Sequence, residues 1–149
     1  MDGYYRDPEA TAAVIRDGWF HTGDMAVVDA EGYVTIVDRK KDIIISGGEN
    51  ISSVEIEKVL AAHPAVYECT VLAVPDERWG ETPKALVVLK PGQSGTAEEI
   101  LAYCRRHLAG FKVPSSVEFR ESLPKTGSGK IMKHVLRESY WQGYEKRVH

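Results

Sequence analysis

The sequence predicts an α/β (α+β) fold, a small mixed sheet flanked by helices and preceded by a short helix and a β-hairpin. Three observations carry this. From about residue 42 onward, strand-like and helix-like segments alternate, the pattern of a small sheet covered by helices. Two of the helical segments open on capping boxes, Ser52 with Glu55 and Thr96 with Glu99, in which each side chain satisfies a backbone N–H of the other residue. Residues before about 40 have a different character. Their helix and hairpin hold too few apolar partners to stand alone, since an isolated hairpin is marginal in water. They are expected to pack onto something this chain lacks, with the charged "DRKKD" as the joint.

The elements follow in order. "RDPEATAAVIRDGWF" reads as a helix with Asp7 as its cap, Pro8 at the first helical position and Gly18 as its stop. "MAVVDAEGYVTIVD" is a hairpin turning at "DAEG". A short β run, Ile43 to Ser46, leads to the glycine pair Gly47 and Gly48. The next helix carries a core stripe of Ile56, Val59 and Leu60, with Ile51 stapled to Ile56 and Pro64 ending it. "VYECTVLAVP" and "PKALVVLKPG" are strands joined by the charged "DERWGET". The helix after Thr96 is expected to bury Ile100, Tyr103, Cys104 and Leu108 and to stop at Gly110. "VEFRE" is a short strand, and Ile131 to Trp141 a last helix with Val135 facing inward.

Composition narrows the function classes. At 149 residues the chain is one ordinary domain, or a small domain with part of another. A hydrophobic content of 43% and a charged content of 28% are those of a globular protein. The net charge of −3 gives no global field favouring nucleic acid, and no nucleic-acid partner is expected. No apolar run approaches the roughly 20 residues of a membrane helix, and "MDGYYRDPEA" lacks the basic start and apolar core of a signal peptide. Cys69 and Cys104 lack metal spacing and read as buried free thiols. No metal site is expected, and a cytoplasmic location fits.

Four stretches carry chemistry. "LPKTGSGKIMK" looks like a phosphate-binding loop but departs from G-x-x-x-x-G-K-[ST]: Pro124 stands at the first glycine and Ile131 at the magnesium-ligating hydroxyl. Read alone, it is a surface loop before a helix, with Lys130 among small residues. "GWFHTGD" puts Asp24 in a tight turn, where a carboxylate can accept from vicinal hydroxyls; a turn-forming Asp is the plainer reading. Gly47 and Gly48 before a capped helix allow close backbone approach of a ligand, a weak signal alone. Trp79 in "DERWGETPKA" could stack on a flat group or cap a core edge.

Their order is informative. "GWFHTGD", "VDRKKDIIISGGENISSVEIE", "AVPDERWGETPKALVVLKPG" and "LPKTGSGKI" together resemble the C-terminal part of the adenylate-forming enzymes: acyl-CoA synthetases, adenylation domains of peptide synthetases and firefly-type luciferases. The resemblance covers essentially the whole chain and is nearest to ligases acting on fatty or related carboxylic acids. It implies that residues 1–40 are the tail end of a large N-terminal ATP-binding domain, which is the expected partner, and 41–149 a mobile C-terminal domain. Lys130 would be the catalytic lysine of acyl-adenylate formation. Asp24 would bind the ribose of ATP or AMP, with Arg39 nearby, and Lys41 would be the hinge. Gly47 and Gly48 would face the pantetheine arm of CoA, and Trp79, Phe111 and Lys112 would lie beside CoA. Many acyl-CoA ligases carry Asp where Lys41 stands, and Ile45 occupies the place of a second luciferase lysine, which argues against luciferase-type oxidation. ATP and CoA would be substrates, with Mg2+ bound alongside ATP in the absent large domain. The chain alone is expected to be inactive. An adenylation domain loading a carrier-protein phosphopantetheine, or a non-catalytic binding module, are the alternatives.

Overall fold

A computed structural model describes residues 1–144. The chain divides into two compact units, the first running from Met1 to Lys41 and the second starting at Asp42.

In the first unit, helix α1 (Pro8–Val14) is capped as predicted, the Asp7 carboxylate accepting from the Ala10 amide at 2.9 Å. It stops earlier than expected. Gly18 lies in the turn of a minimal antiparallel hairpin, β1 (Ile15–Arg16) with β2 (Trp19–Phe20). Asp17 and Gly18 both have positive φ, 53° and 79°, the requirement of a two-residue turn that matches strand twist. Strands β3 (Asp24–Val28) and β4 (Val34–Arg39) form the predicted hairpin. Asp29 sets its turn, accepting from the amides of Glu31 and Tyr33. Of the described residues in this unit only Asp38 is buried, while Trp19, Val28, Tyr33, Val34 and Ile36 are exposed.

The second unit is a five-stranded mixed sheet between two helical layers. Strands β5 (Ile44–Ser46) and β6 (Glu49–Ile51) form a hairpin. Helix α2 (Ser53–Ala61) follows, then β7 (Val66–Asp76) and β8 (Gly80–Leu89), paired over their whole length. Helix α3 (Ala97–His107) crosses over to β9 (Ser116–Phe119), which is parallel to β8. Helix α4 (Lys133–Trp141) closes the fold. With β7 along one edge of β8, the other edge is divided between β5, at Gly80, and β9, at Lys84 to Val87.

Residue alternation splits the core. Val71, Ala73, Ala85 and Val87 face α2 and α3, packing with Ile56, Leu60, Ile100 and Cys104. Leu72, Leu86 and Val88 face the other way onto Leu123 and Leu136. Burial on both faces explains why "ALVVL" reads as an unbroken apolar run. The capping box of α3 forms as predicted, Thr96 and Glu99 bonding reciprocally. The Thr96 amide and hydroxyl hold the Glu99 carboxyl below its usual range.

Several expectations shift. The glycine pair is a hairpin turn rather than a helix-entry loop, and β6 was not anticipated. Helix α3 ends at His107, before Gly110. Tyr103 and Leu108 are half-buried rather than buried. On α4, Val135 is 43% exposed, while Leu136 and Arg137 are buried, because the helix packs Leu136 onto Leu72, Leu86 and Leu123.

Both cysteines are free, Cys104 buried and Cys69 partly so. Burial, reinforced by the Glu57 carboxylate, pushes the Cys69 thiol up to about 12, and burial also raises Cys104. Raised thiol pKa values keep both groups neutral at pH 8, and the thiolate is the reactive form. Neither should therefore react with a thiol-specific alkylating reagent at pH 8 until denaturant is added; prompt labelling of the folded chain, read by mass, would contradict this.

Candidate functional site

In the first unit the hairpin register creates the pair that the sequence only suggested. Asp24 opens β3 and Arg39 ends β4, directly opposite. Arg39 Nε lies 3.4 Å from Asp24 Oδ1. Thr22 fixes the turn before Asp24, its Oγ1 accepting the Asp24 amide at 3.1 Å. A concave pocket of about 460 Å³ is lined by His21, Thr22, Gly23, Asp24, Met25 and Lys40, with others. An exposed pair of this kind contributes at most about 1 kcal/mol, so a ligand hydroxyl can displace the guanidinium from the carboxylate at little cost.

Lys41 lies in a 3₁₀ turn, Lys40–Asp42. Its neighbours are anchored. The Lys40 amide donates to the Gly23 carbonyl at 2.8 Å, and Asp42 accepts from Arg137 at 2.6 Å in a nearly buried ion pair.

Gly47 and Gly48 have φ of 59° and 89° and form the turn between β5 and β6. The Gly47 amide donates to the Trp79 carbonyl at 3.0 Å. The Trp79 ring lies against Gly47 so closely that a Cβ there would come within 2.7 Å of it, whereas Gly48 opens to space. Trp79 remains 46% exposed, with the Arg78 guanidinium 4.5 Å from its ring centroid. Asp76 shapes this loop, its Oδ1 accepting from the amides of Arg78 and Trp79.

Phe111 is half exposed on a 3₁₀ turn, Gly110–Lys112. Lys112 is not a free cation: its ammonium donates to both Glu55 oxygens at 2.8 Å. Ser52 still caps α2, accepting from the Glu55 amide at 3.4 Å, while the Glu55 carboxylate is engaged by Lys112.

Lys130 sits on a closed hairpin rather than a loose loop. Lys125 and Ile131 bridge across it. The Thr126 amide donates to the Lys130 carbonyl at 2.8 Å, the Lys130 amide to Thr126 Oγ1 at 3.2 Å, and the Gly129 amide to the Thr126 carbonyl at 2.9 Å. Lys125 pairs with Glu68 on β7. Lys133 pairs with Glu57 at 2.8 Å and donates to Ser53 at 2.8 Å. Lys130 is exposed, and among the described residues its ammonium meets no carboxylate.

Helix α2 links these segments. Its N-terminal end receives β6 from the glycine turn, Lys112 through Glu55, and Lys133 through Ser53 and Glu57. Sequence reading missed Glu57, Glu81, Thr126 and the Asp42–Arg137 pair. Glu81 had a usable signal, a carboxylate on the same strand face as Pro83, Ala85 and Val87. Among the described residues no cluster of three or more His, Cys, Asp or Glu could hold a metal ion, and no helix is long and apolar enough to cross a membrane.

Residues 55–130 match the family described as the AMP-binding enzyme C-terminal domain. The chain belongs to this family. It is 56% identical over 140 residues to feruloyl-CoA synthase of Amycolatopsis sp, covering 94% of this chain and 28% of that protein. It is 53% identical over 141 residues to a 2-methylpropanoate–CoA ligase of Humulus lupulus, covering 93% of this chain and 25% of that protein. The crystal structure of ATP-bound MatB from Rhodopseudomonas palustris superposes with a TM-score of 0.84 at 40% identity, covering 97% of this chain and 29% of MatB. The chain thus spans about a quarter of the length of the curated relatives it matches. The α/β architecture of this C-terminal domain is that expected from sequence.

The two glycines of the turn should differ on substitution. Both Gly47→Ala and Gly48→Ala incur the left-handed penalty of roughly 1–2 kcal/mol, and Gly47→Ala adds the collision with Trp79. Urea unfolding should show Gly47→Ala the more destabilised, with Trp79→Ala in that background recovering part of the difference. Equal losses for the two would disprove the contact.

Proposed function

We propose that the chain is the C-terminal portion of an ATP-dependent carboxylic acid–CoA ligase, an AMP-forming acid–thiol ligase. One observation carries this reading. Of three lysines within nine residues, Lys125 and Lys133 are held in ion pairs, and Lys130 between them projects from a hydrogen-bonded hairpin with its ammonium uncommitted among the described residues.

That is the arrangement a transferable cation requires. In the first half-reaction the acid's carboxylate attacks the α-phosphorus of ATP, the bond to the bridging oxygen breaks, and pyrophosphate leaves. Two anions must meet, and a preoriented ammonium in a water-poor site offsets their repulsion. Lys130 supplies it. Asp24 accepts the ribose hydroxyls, with Arg39 exchanging its partner beside it. In the second half-reaction the thiol of CoA attacks the acyl carbonyl, loses its proton, and AMP leaves. Residues 41–149 rotate between the steps about Lys41, bringing Gly47 and Gly48 to the pantetheine arm, with Trp79 and Phe111 alongside. Lys112 reaches a CoA phosphate by releasing Glu55. Residues 1–40 belong to the large ATP-binding domain, whose surface would cover the exposed Trp19, Val34 and Ile36, and which would hold Mg2+ with ATP. A cytoplasmic location is part of this reading. Relatives of similar identity are named for feruloyl-CoA and for 2-methylpropanoate, so identity here does not track the acid, and the fatty-acid expectation rests on motif resemblance.

In the complete enzyme, Lys130→Ala should lower acid-dependent ATP–pyrophosphate exchange by roughly 10²–10³ without altering the melting temperature; an unchanged exchange rate defeats the assignment. The chain of residues 1–149 alone should show no such exchange, and measurable acid-dependent exchange would refute its dependence on the large domain.

A further inference from the structure

Glu81 is fully buried, yet no role in the chemistry above uses it. Its Oε2 accepts the amide of Ile45, 36 residues away, at 3.1 Å, and its Oε1 meets no donor among the described residues. A buried carboxylate with an idle acceptor is costly. Its position gives a reason for retaining it. The β5–β6 hairpin joins the main sheet through a single ladder pair, Ser46 with Gly80. On one side of that pair the Trp79 carbonyl accepts the Gly47 amide at 3.0 Å. On the other the Glu81 side chain accepts the Ile45 amide. Trp79, Gly80 and Glu81 therefore hold Gly47, Ser46 and Ile45 in antiparallel succession. The third rung uses a side-chain oxygen in place of a backbone carbonyl.

We propose that Glu81 is a positioning residue that fixes where the Gly47–Gly48 turn is presented, and so sets the efficiency of the thioester-forming step. Its structural part stands on the geometry alone; its catalytic consequence rests on the CoA reading above. Without the carboxylate the half-buried Ile45 N–H is left unpaired, and the turn hangs from one rung and the Trp79 bond. The Trp79 ring against Gly47 cannot replace it, since packing contact supplies no acceptor.

Amide hydrogen exchange on the chain tests the structural part. In the parent, Ile45 should exchange slowly; exchange as fast as the exposed amides of the first unit overturns the proposal. In Glu81→Ala, and in Glu81→Met, which fills the volume without an acceptor, Ile45 and Gly47 should exchange about ten- to a hundredfold faster. The Lys130 amide, bonded to Thr126, should not change. Glu81→Gln keeps an acceptor and should stay within about threefold of the parent. Unaltered Ile45 exchange in the Ala and Met variants, or an equal rise across β7 and β8, overturns the proposal. In the complete enzyme, Glu81→Met should slow thioester formation from a preformed acyl-adenylate about tenfold and leave adenylate formation nearly unchanged; equal losses in both steps overturn the positional role. Gly48→Val separates the two readings. Normal thioester formation there would defeat the CoA reading, and the Ile45 exchange would still decide whether Glu81 holds the turn.

Discussion

The β7–β8 hairpin is buried on both faces, and the rest of the second unit answers to that constraint. Two apolar faces demand two covering layers, α2 with α3 on one side and α4 on the other. They also demand that polar backbone groups beyond the ladder find partners without water. Carboxylates provide them. Glu57 accepts the Val71 amide at 2.8 Å and the Thr70 hydroxyl at 2.9 Å. Glu68 accepts the Leu123 amide at 3.4 Å. Each also binds a lysine that flanks Lys130 in sequence, Lys133 for Glu57 and Lys125 for Glu68. The same side chains that close the sheet thus hold the residues on either side of Lys130.

This alters the physical picture of how Lys130 would act. The glycines around it suggest a segment that reaches and retreats. The hydrogen bonds through Thr126 and the bridge between Lys125 and Ile131 describe a stiff presenter instead. Movement of the lysine would then have to come from displacement of the domain as a body. The anchoring of Asp42 by Arg137 is consistent with this, because a nearly buried ion pair directly after Lys41 would confine any such rotation to the residues before it.

How far the sequence was legible follows from the range of the interactions involved. Caps and turns are local, so Asp7, Thr96 and the "DAEG" turn were readable and stand as expected, while Ser52 caps α2 but the Glu55 carboxylate pairs with Lys112 instead of completing the expected box. The Asp24–Arg39 pair needs only a hairpin register and was half legible. Lys112 with Glu55, Lys133 with Glu57, Arg137 with Asp42 and Glu81 with Ile45 join residues 36 to 95 positions apart. No local pattern announces such partners. Helix phase failed at Val135 for a related reason: the burial direction of α4 is set by Leu72, Leu86 and Leu123 beneath it, not by its own periodicity.

The Glu57 bond to Val71 has a further effect. Strand β7 is 11 residues long and, among the described residues, pairs on one side only, with β8. A long strand with a bare flank is a template on which another chain can add. Here the side chain of Glu57 occupies an outward-pointing amide near the middle of that flank, Lys133 neutralises the carboxylate, and α2 lies over the approach. Further along the same flank the Trp141 indole donates to the Ala73 carbonyl at 3.0 Å, so two side chains, Glu57 and Trp141, take up edge groups that an added strand would need.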